Sequence, residues 1–451
     1  MKFKSTNPYS LQTVSEHDAL TDDELEENLE KSKTAFKLWR KKPITERTAL
    51  IREAAEVLEA GIDRYAEMIT IEMGKPITEA RAEVKKCAWV CNYYADRAAD
   101  FLADEPIETD ARKSFVRHAP VGTVFAVMPW NFPFWQVFRF AAPTLTAGNV
   151  GVLKHAKNVF GCGDLIAEVF EKAGFPEGVF QNFKIGHEQA EKVIAHSAIK
   201  AVTLTGSEKA GASVARAAGE HIKKSLLELG GSNAFIVLAD ADIDKAVEVA
   251  VNARMMNTGQ SCIAAKRFII AAEVYDVFTE KFVGAAKELK SGDPIEKDTE
   301  IGVLARVDLS EDLDRQVQDS VKAGAVLLLG GNRKDAYYAP TVLGNVKPGM
   351  PAFDEETFGP LAAMIKASDE DEAYALSQQS DFALGVTVFT QDVEKALKRA
   401  DDIDDGALFI NELVKSDPRL PFGGQRNSGY GRELSRDGIL EFVNRQTVYV
   451  K

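Results

Sequence analysis

Short apolar runs alternate with longer amphipathic stretches through the middle of the chain. The runs lie at residues 122–128, 149–153, 179–183, 201–204, 225–227 and 234–238. Between them, apolar residues recur with helical spacing, for example over 162–173 and 188–196. Such alternation predicts a parallel sheet with helices on both faces, and it predicts ligand binding at the carboxyl ends of the strands.

The alternation resumes after residue 262 and predicts a second α/β unit. Its strands are expected near 267–271, 325–329, 361–366, 386–389 and 408–410, with a helix near 274–289. The last apolar stretch, 442–450, predicts a final strand with no obvious partner in the sequence. Addition of this strand to the sheet of another subunit is one explanation.

Helices are predicted for the first hundred residues. Thr21 and Glu24 have the spacing of a capping box, and the helix that they begin ends before Pro43. Further helices are expected over 46–60, 62–73 and 78–103. We interpret these opening helices as packing elements, because their polar residues form no convincing chemical site.

The composition is that of an ordinary soluble globular protein, with 45% hydrophobic and 27% charged residues among 451. The net charge of −14 argues against nucleic-acid and membrane partners, which need basic surfaces. The N-terminus has no apolar signal segment, and four scattered cysteines do not form a disulfide framework, so we expect a reducing cytoplasm. The six histidines lack ligand spacing, and we predict no metal site.

A carboxylate and a thiol lie in glycine-marked turns that flank a strand and a helix. Glu228 is part of LELGG, and Cys262 is part of GQSC. A thiol on a turn with a carboxylate in reach is a plausible nucleophile and base. The pair alone is equally compatible with a small buried cysteine and a surface acid.

The segment PWNFP, with Pro129, Trp130 and Asn131, follows a strong predicted strand. Asn131 is expected to begin a helix, where it would either cap the helix or stabilise an oxyanion. Asn131, Trp135 and Arg139 have helical spacing that places them on one face. Arg139 would then either bind an anionic end of a substrate or pair with a structural carboxylate.

Two turns at predicted strand ends suit phosphate or ribose groups. Lys154 and Lys157 flank one turn, and Gly206 and Ser207 form another at the start of a helix. Each is weak evidence alone, since solvated basic turns are common and GxGxxG is absent. Two further turns carry Glu356 with Phe358, and Phe422, and either is typical of structural turns.

Together, PWNFP, LTGS, LELGG, GQSC, EETFGP and PFGG resemble the aldehyde dehydrogenase superfamily in order and spacing, over nearly the whole chain. The resemblance implies Cys262 as nucleophile, Glu228 as general base and Asn131 as oxyanion donor. It implies a dinucleotide cofactor held by Pro129, Trp130, Lys154, Lys157, Gly206, Ser207, Leu229, Glu356 and Phe358.

The WQVFR segment and the tail PRLPFGGQRNSGYGREL are most similar to the bacterial succinate-semialdehyde dehydrogenase branch. That similarity implies a short, carboxylate-bearing aldehyde substrate, contacted by Trp135, Arg139, Ser261 and Phe422. Many NAD-preferring relatives have Glu where this chain has Lys157. An ammonium in place of that carboxylate removes repulsion toward a 2′-phosphate, so NADP is expected to be accepted and preferred over NAD.

The resemblance also implies an organisation in three parts. These are a Rossmann-like cofactor domain (1–106 and 127–228), a catalytic α/β domain (229–425) and small oligomerisation strands (107–126 and 426–451) that would form a homodimer or homotetramer. Alternatives are a dehydrogenase for uncharged aliphatic aldehydes with a structural Arg139, an esterase or thioester-forming transferase, and a non-catalytic binding protein.

Overall fold

The computed structural model describes residues 2–451. The helices are α1 (Asp22–Trp39), α2 (Ile44–Ala60), α3 (Ile62–Met73), α4 (Ile77–Phe101), α5 (Trp135–Thr146), α6 (Phe160–Lys172), α7 (His187–Ala195), α8 (Glu208–Glu220), α9 (Ile243–Met255), α10 (Tyr275–Glu288), α11 (Val307–Lys322), α12 (Pro351–Asp354), α13 (Glu370–Ser377), α14 (Val393–Lys398) and α15 (Ser435–Leu440). Short 3₁₀ turns cover Lys157–Val159, Met256–Gly259 and Ala400–Asp402.

The strands are β1 (Lys2–Thr6), β2 (Thr13–Asp18), β3 (Glu105–Pro106), β4 (Lys113–Pro120), β5 (Thr123–Met128), β6 (Val150–His155), β7 (Phe180–Asn182), β8 (Ile199–Thr205), β9 (Lys224–Glu228), β10 (Asn233–Val237), β11 (Ala265–Ala271), β12 (Val326–Leu329), β13 (Arg333–Lys334), β14 (Tyr337–Tyr338), β15 (Thr341–Gly344), β16 (Leu361–Ala367), β17 (Phe382–Ala383), β18 (Val386–Phe389), β19 (Leu408–Ile410), β20 (Gln425–Arg426), β21 (Gly429–Tyr430) and β22 (Val443–Val450).

The first predicted sheet is present, with strand order β21-β9-β8-β5-β6-β7. All pairs are parallel except β21 with β9. Successive residues of β5 enter different cores, since Val124 and Ala126 pack with α5 and α6 while Phe125 packs with α1 and α7. This period of two explains the continuous apolar strands, because both faces of the sheet are covered.

The second sheet has seven strands in the order β12-β15-β16-β11-β10-β18-β19. It is parallel except for β12, which pairs antiparallel with β15. Ile236 and Ile269 enter one core cluster, whereas Phe235 and Phe268 enter the other. The chain therefore has the α/β class that alternation predicted, and within residues 2–451 no helix is long and apolar enough to span a bilayer.

The final strand has a partner within its own chain. Along its whole length, β22 pairs antiparallel with β4, from Val443 opposite Pro120 to Val450 opposite Lys113, and β3 lies on the other side of β4. The predicted final strand is therefore confirmed, and its partner, which the sequence did not indicate, lies in the same chain. β22 is an edge strand of this small sheet. The three-part division stays a prediction; β5, which begins at Thr123, pairs within the six-stranded sheet.

The opening helices form where the pattern placed them. The Thr21 hydroxyl accepts from the Glu24 N–H at 3.2 Å, and the Glu24 carboxylate accepts from the Thr21 N–H at 2.7 Å, which confirms the capping box. The β1–β2 hairpin before α1 was not anticipated from the sequence.

Candidate active site

The carboxyl edge of the six-stranded sheet gathers the residues predicted to contact a dinucleotide. Lys154 lies near the end of β6, β5 leads into Trp130, and Ser207 follows β8. Because β5 lies between β6 and β8, these positions are neighbours. Ser207 is the N-cap of α8, and its hydroxyl accepts from the Ala210 N–H at 3.4 Å. This edge presents the positive end of a helix dipole beside a lysine.

The side chain of Lys154 provides a test of whether a dinucleotide fits this edge. Lys154 is only 8% exposed, and burial lowers its pKa. Among residues 2–451, its ammonium has no hydrogen-bond or salt-bridge partner within the protein. A buried cation without a counter-charge fits a phosphate or ribose oxygen. Lys157, three residues later, is exposed at the start of its 3₁₀ turn.

His155 joins the two loops at this edge. Its Nε2 is 2.9 Å from the Pro133 carbonyl, and its Nδ1 accepts from the Ala156 N–H at 3.0 Å. Burial lowers the pKa of His155 to about 4, so the ring is neutral at physiological pH. The imidazole therefore fixes the PWNFP loop against the loop that carries Lys154.

The turn before Cys262 has an unusual backbone. Asn257, Thr258 and Gly259 have φ angles of 56°, 52° and 73°. This left-handed conformation is strained for the β-branched Thr258. A Cβ atom at Gly259 would lie 2.3 Å from the Gly359 carbonyl oxygen, so only glycine fits there. The nucleophile candidate thus follows a turn whose path is tightly constrained.

Lys266 binds the backbone of the Cys262 loop. The sequence did not predict this role. Its ammonium donates to the carbonyls of Ser261 and Cys262 at 3.0 and 2.9 Å, to the Gly231 carbonyl, and to the Glu356 carboxylate at 3.0 Å. Its side chain has no solvent exposure. A lysine beside a predicted buried strand was the available signal.

Arg254 makes a second clamp that the sequence reasoning missed. This fully buried residue of α9 donates to the carbonyls of Thr357 at 3.1 Å and of Gly359, and to the Ala265 carbonyl at 3.3 Å. It therefore ties the EETFGP loop to the base of the Cys262 turn. A charged residue near the end of an otherwise packed helix was the signal for it.

Cys262 opens onto a cavity of about 300 Å³ beside α4 and α5. The predicted residues Trp135, Arg139, Ser261 and Phe422 line the same cavity. The other lining residues are Glu79, Ala82, Glu83, Lys86, Phe132, Gln136, Met256, Ile263, Leu413, Lys415 and Ser416. Interpretation of all the opening helices as mere packing is therefore wrong for α4, which contributes four residues to this wall.

Burial raises the pKa of the Cys262 thiol to about 11, against the pull of Lys266 and Arg139. In the free enzyme we therefore expect the rate of Cys262 alkylation by iodoacetamide to rise about tenfold per pH unit from pH 7 to 9, because the thiolate reacts. The rate is measured by mass spectrometry of the Cys262 peptide. A plateau already at pH 7 would contradict a raised pKa.

Glu228 lies at the end of β9 but does not line the cavity among residues 2–451. Its Oε1 packs so closely on Gly423 that a Cβ atom there would approach to 2.8 Å. Burial and the nearby Glu433 carboxylate raise the pKa of Glu228 well above its usual range. The protein environment therefore favours the protonated form of this carboxyl group more than water does.

Asn131 does not begin a helix, contrary to expectation, because α5 begins at Trp135. The Asn131 amide donates to the Gln260 carbonyl at 3.0 Å, and its oxygen accepts from Gln136 at 3.0 Å. Asn131 is thus tied to the Cys262 turn, and one of its two amide N–H bonds remains for another acceptor. Asn131 therefore lies outside the helix and does not share a helix face with Arg139.

Arg139 lines the cavity with its charge already balanced. Its Nε atom forms a buried salt bridge with Glu433, and its guanidinium lies 4.6 Å from the ring centroid of Phe422. A terminal nitrogen approaches the Thr205 hydroxyl at 3.5 Å. Both predicted alternatives are thus partly present: Arg139 faces the cavity, and it pairs with a structural carboxylate.

Aromatic and acidic residues predicted for the cofactor also meet. The rings of Trp130 and Phe358 pack edge to face with centroids 5.7 Å apart. Glu356 accepts from the Gly231 N–H at 2.9 Å as well as from Lys266. Leu229 packs beneath α8, where a Cβ at Gly211 would approach it to 2.6 Å. These contacts link the EETFGP and LELGG turns beside Cys262.

A family model described as the aldehyde dehydrogenase family matches residues 1–448. A probable succinate-semialdehyde dehydrogenase for NADP(+) from Synechocystis sp. is 50% identical, with both chains covered completely. The Escherichia coli succinate semialdehyde dehydrogenase Sad, named for NAD(P)+, is 46% identical over 95% of this chain and 93% of its own.

A solved structure shows the same arrangement of elements. The succinic semialdehyde dehydrogenase of Streptococcus pyogenes, crystallised in complex with NADP+, is 38% identical to this chain. The two superpose with a TM-score of 0.97, and 99% of each chain is covered.

Proposed function

The chain belongs to the aldehyde dehydrogenase family, and we propose that it oxidises succinate semialdehyde, or a similar short acidic semialdehyde, to the carboxylic acid with NADP or NAD. The observation that carries this proposal is sequence identity of 44–50%, over the full chain, to relatives named for that reaction. The cavity supports this proposal, because its wall contains the Cys262 thiol together with the cationic side chains of Lys86, Arg139 and Lys415.

The reaction begins at Cys262. Its sulfur attacks the aldehyde carbon and forms a thiohemiacetal, which requires loss of the thiol proton. Because burial raises the pKa of this thiol to about 11, only a small fraction is thiolate at neutral pH, and that fraction attacks after its proton has passed to solvent water. Lys266, bonded to the Ser261 and Cys262 carbonyls, holds the loop during attack.

The oxygen of the thiohemiacetal carries developing negative charge. We assign its stabilisation to the free amide N–H of Asn131 and to the backbone N–H of Cys262. The bonds from Asn131 to Gln260 and from Gln136 to Asn131 fix the amide before substrate arrives. Such preorganised donors typically contribute on the order of 10²–10³ in rate.

A nicotinamide dinucleotide held by Trp130, Lys154 and Ser207 would supply the hydride acceptor for this oxidation, which converts the thiohemiacetal to a thioester on Cys262. Glu228 then accepts a proton from the water that attacks the thioester, and the carboxylic acid is released. Its environment supports this role, because burial and Glu433 raise its pKa toward the range of a general base.

Arg139 contributes to substrate orientation in this proposal. Glu433 binds its Nε atom and one terminal nitrogen lies 3.5 Å from the Thr205 hydroxyl, which leaves the other N–H groups of the guanidinium to a substrate carboxylate. Ser261 and Phe422 shape the neighbouring wall. The pair with Glu433 also favours a second candidate function, oxidation of uncharged aliphatic aldehydes, because it cancels the charge of Arg139.

We propose NADP as the preferred cofactor. Lys157 lies three residues after the buried Lys154, at the turn that follows β6. An exposed ammonium at this position attracts a 2′-phosphate, whereas a carboxylate would repel it. Relatives named for NADP(+) support the same preference.

The proposal is tested with succinate semialdehyde and butanal, which have the same number of carbons and differ in the terminal carboxylate, each assayed with NADP and NAD. We expect the highest kcat/KM for succinate semialdehyde with NADP. Absorbance of the reduced cofactor measures each rate. Preference for butanal would favour the second candidate, and strong NAD preference would refute the role of Lys157.

We also propose that the enzyme acts as a homodimer or homotetramer in the reducing cytoplasm. The outer edge of β22 offers unpaired backbone groups over eight residues, which suits addition to another subunit. All four cysteines are free thiols, and Cys262 needs to stay reduced to act.

A further inference from the structure

The charged residues that line the cavity differ in whether they have partners. Arg139 pairs with Glu433, and Lys415 pairs with Glu412 at 2.8 Å outside the cavity. Lys86 differs from both. Within residues 2–451, no carboxylate lies within 4.0 Å of its ammonium. Lys86 is therefore a cation of the described cavity wall without a salt-bridge partner.

The position of Lys86 follows from the spacing along α4. Glu79, Ala82, Glu83 and Lys86 recur at helical intervals, so one face of α4 forms this wall. Glu83 is already used, because its carboxylate pairs with Lys75 and accepts the N–H groups at the start of α5. Lys85, the preceding residue, is exposed and does not line the cavity.

Two contacts hold the Lys86 ammonium at the cavity wall. It donates to the Ser416 hydroxyl at 2.8 Å and lies 4.4 Å from the Trp135 ring. Ser416 and Trp135 line the same cavity as Cys262. Each contact satisfies the ammonium without neutralising its charge. The Ser416 hydroxyl, while it accepts from Lys86, still has its own proton to donate.

We infer that Lys86 binds the remote carboxylate of the substrate, with the Ser416 hydroxyl as a second donor. The inference rests on the proposed function and names the residue that selects an anionic aldehyde. The Arg139–Glu433 pair orients the substrate through hydrogen bonds but adds no net charge. Lys86 supplies that charge in the same cavity as the thiol.

The protonation state of Lys86 is consistent with this role. Burial in the cavity, and then the charge of Arg139, lower its pKa to about 8. The side chain is therefore mostly an ammonium at pH 7. Glu79, on the same wall, does not provide a full counter-charge, because burial raises its pKa to about 7.

The test compares Lys86→Met with Lys85→Met, a matched loss of one lysine from the adjacent exposed position. For Lys86→Met we expect kcat/KM for succinate semialdehyde to fall about 10- to 100-fold, mainly through KM, because a hydrogen bond to a charged group is lost. For butanal we expect less than about threefold change, because it has no carboxylate to lose. Lys85→Met should leave both substrates unchanged, and Lys86→Arg should restore part of the preference.

Equal loss with both aldehydes, or no loss with either, would overturn the role of Lys86. Wild-type preference for butanal would instead overturn the proposed function, so the two failures are distinguishable. Circular dichroism and binding of NADP establish that each variant is folded. If Lys86→Met does not fold, Lys86→Gln tests the same charge, because its amide can still donate to Ser416.

Discussion

Replacement of Cys262 with alanine is expected to lower kcat for aldehyde oxidation on the order of 10⁴-fold or more, because the covalent route is lost. Steady-state formation of NADPH measures the loss. Binding of NADP, followed by tryptophan fluorescence, should be retained, since Lys154, Trp130 and Ser207 lie at the carboxyl edge of the six-stranded sheet and outside the Cys262 turn. The expected result is thus a folded, cofactor-binding and inactive protein.

Cys91→Ala is the matched control for that experiment. Cys91 is fully buried on α4 and lies outside the cavity lining, so its substitution should affect stability more than kcat. Near-normal kcat in Cys262→Ala would eliminate the thiol as nucleophile. Equal loss in both variants would indicate damage to the fold rather than to the reaction.

Glu228→Gln should separate the two halves of the reaction. We expect about 10²- to 10⁴-fold lower steady-state turnover, because the amide cannot accept the proton from water. The thioester should then accumulate. Rapid mixing should show a burst of NADPH close to one per active site, and intact-protein mass spectrometry should detect the succinyl adduct on Cys262.

Glu441→Gln serves as the comparison for Glu228→Gln. Glu441 pairs with Lys224 at 2.8 Å and does not line the cavity. Its charge makes a small contribution to the raised pKa of Glu228. Its turnover should stay near that of the wild type. Loss of the burst itself in Glu228→Gln would instead assign Glu228 to proton removal from Cys262, and unchanged turnover would remove it from the mechanism.

The two sheets were predictable because their signal is local. The interior strands β5, β6 and β8 are buried on both faces, and helices with clear amphipathic spacing separate the strands. The motifs at the strand ends also predicted that Lys154 and Ser207 would meet at one edge. Parallel topology converts positions in the sequence into neighbours in space, so the family resemblance and the geometry lead to the same edge.

The start of α5 could not be assigned from local capping rules alone. Glu83, on a different helix, accepts the N–H groups of Phe134 and Trp135 at 2.8 and 3.0 Å. A carboxylate 51 residues away thus replaces the local cap that Asn131 was expected to provide. Pro133 also argues against a helix that begins at Asn131, since proline disfavours helical geometry in the residue before it.

The roles of β22 and Lys86 depend on partners distant in sequence. Pairing of β22 with β4 joins residues more than 300 positions apart, and the hydrophobic pattern of one strand does not specify such a partner. Lys86 and Lys85 are adjacent lysines on one helix. Periodicity shows which side of α4 is apolar, but the cavity is created by α5 and the Leu413–Ser416 loop.

The clamps made by Arg254 and Lys266 determine which residues of the surrounding loops can be replaced. Apart from Glu356, their acceptors are main-chain carbonyls of the Gly231, Ser261, Cys262, Thr357 and Gly359 region. Every residue type supplies a carbonyl, so residues of these loops other than the glycines can be replaced without loosening the turn that carries Cys262. Substitution of those side chains can therefore change the wall of the cavity while the Cys262 sulfur keeps its position.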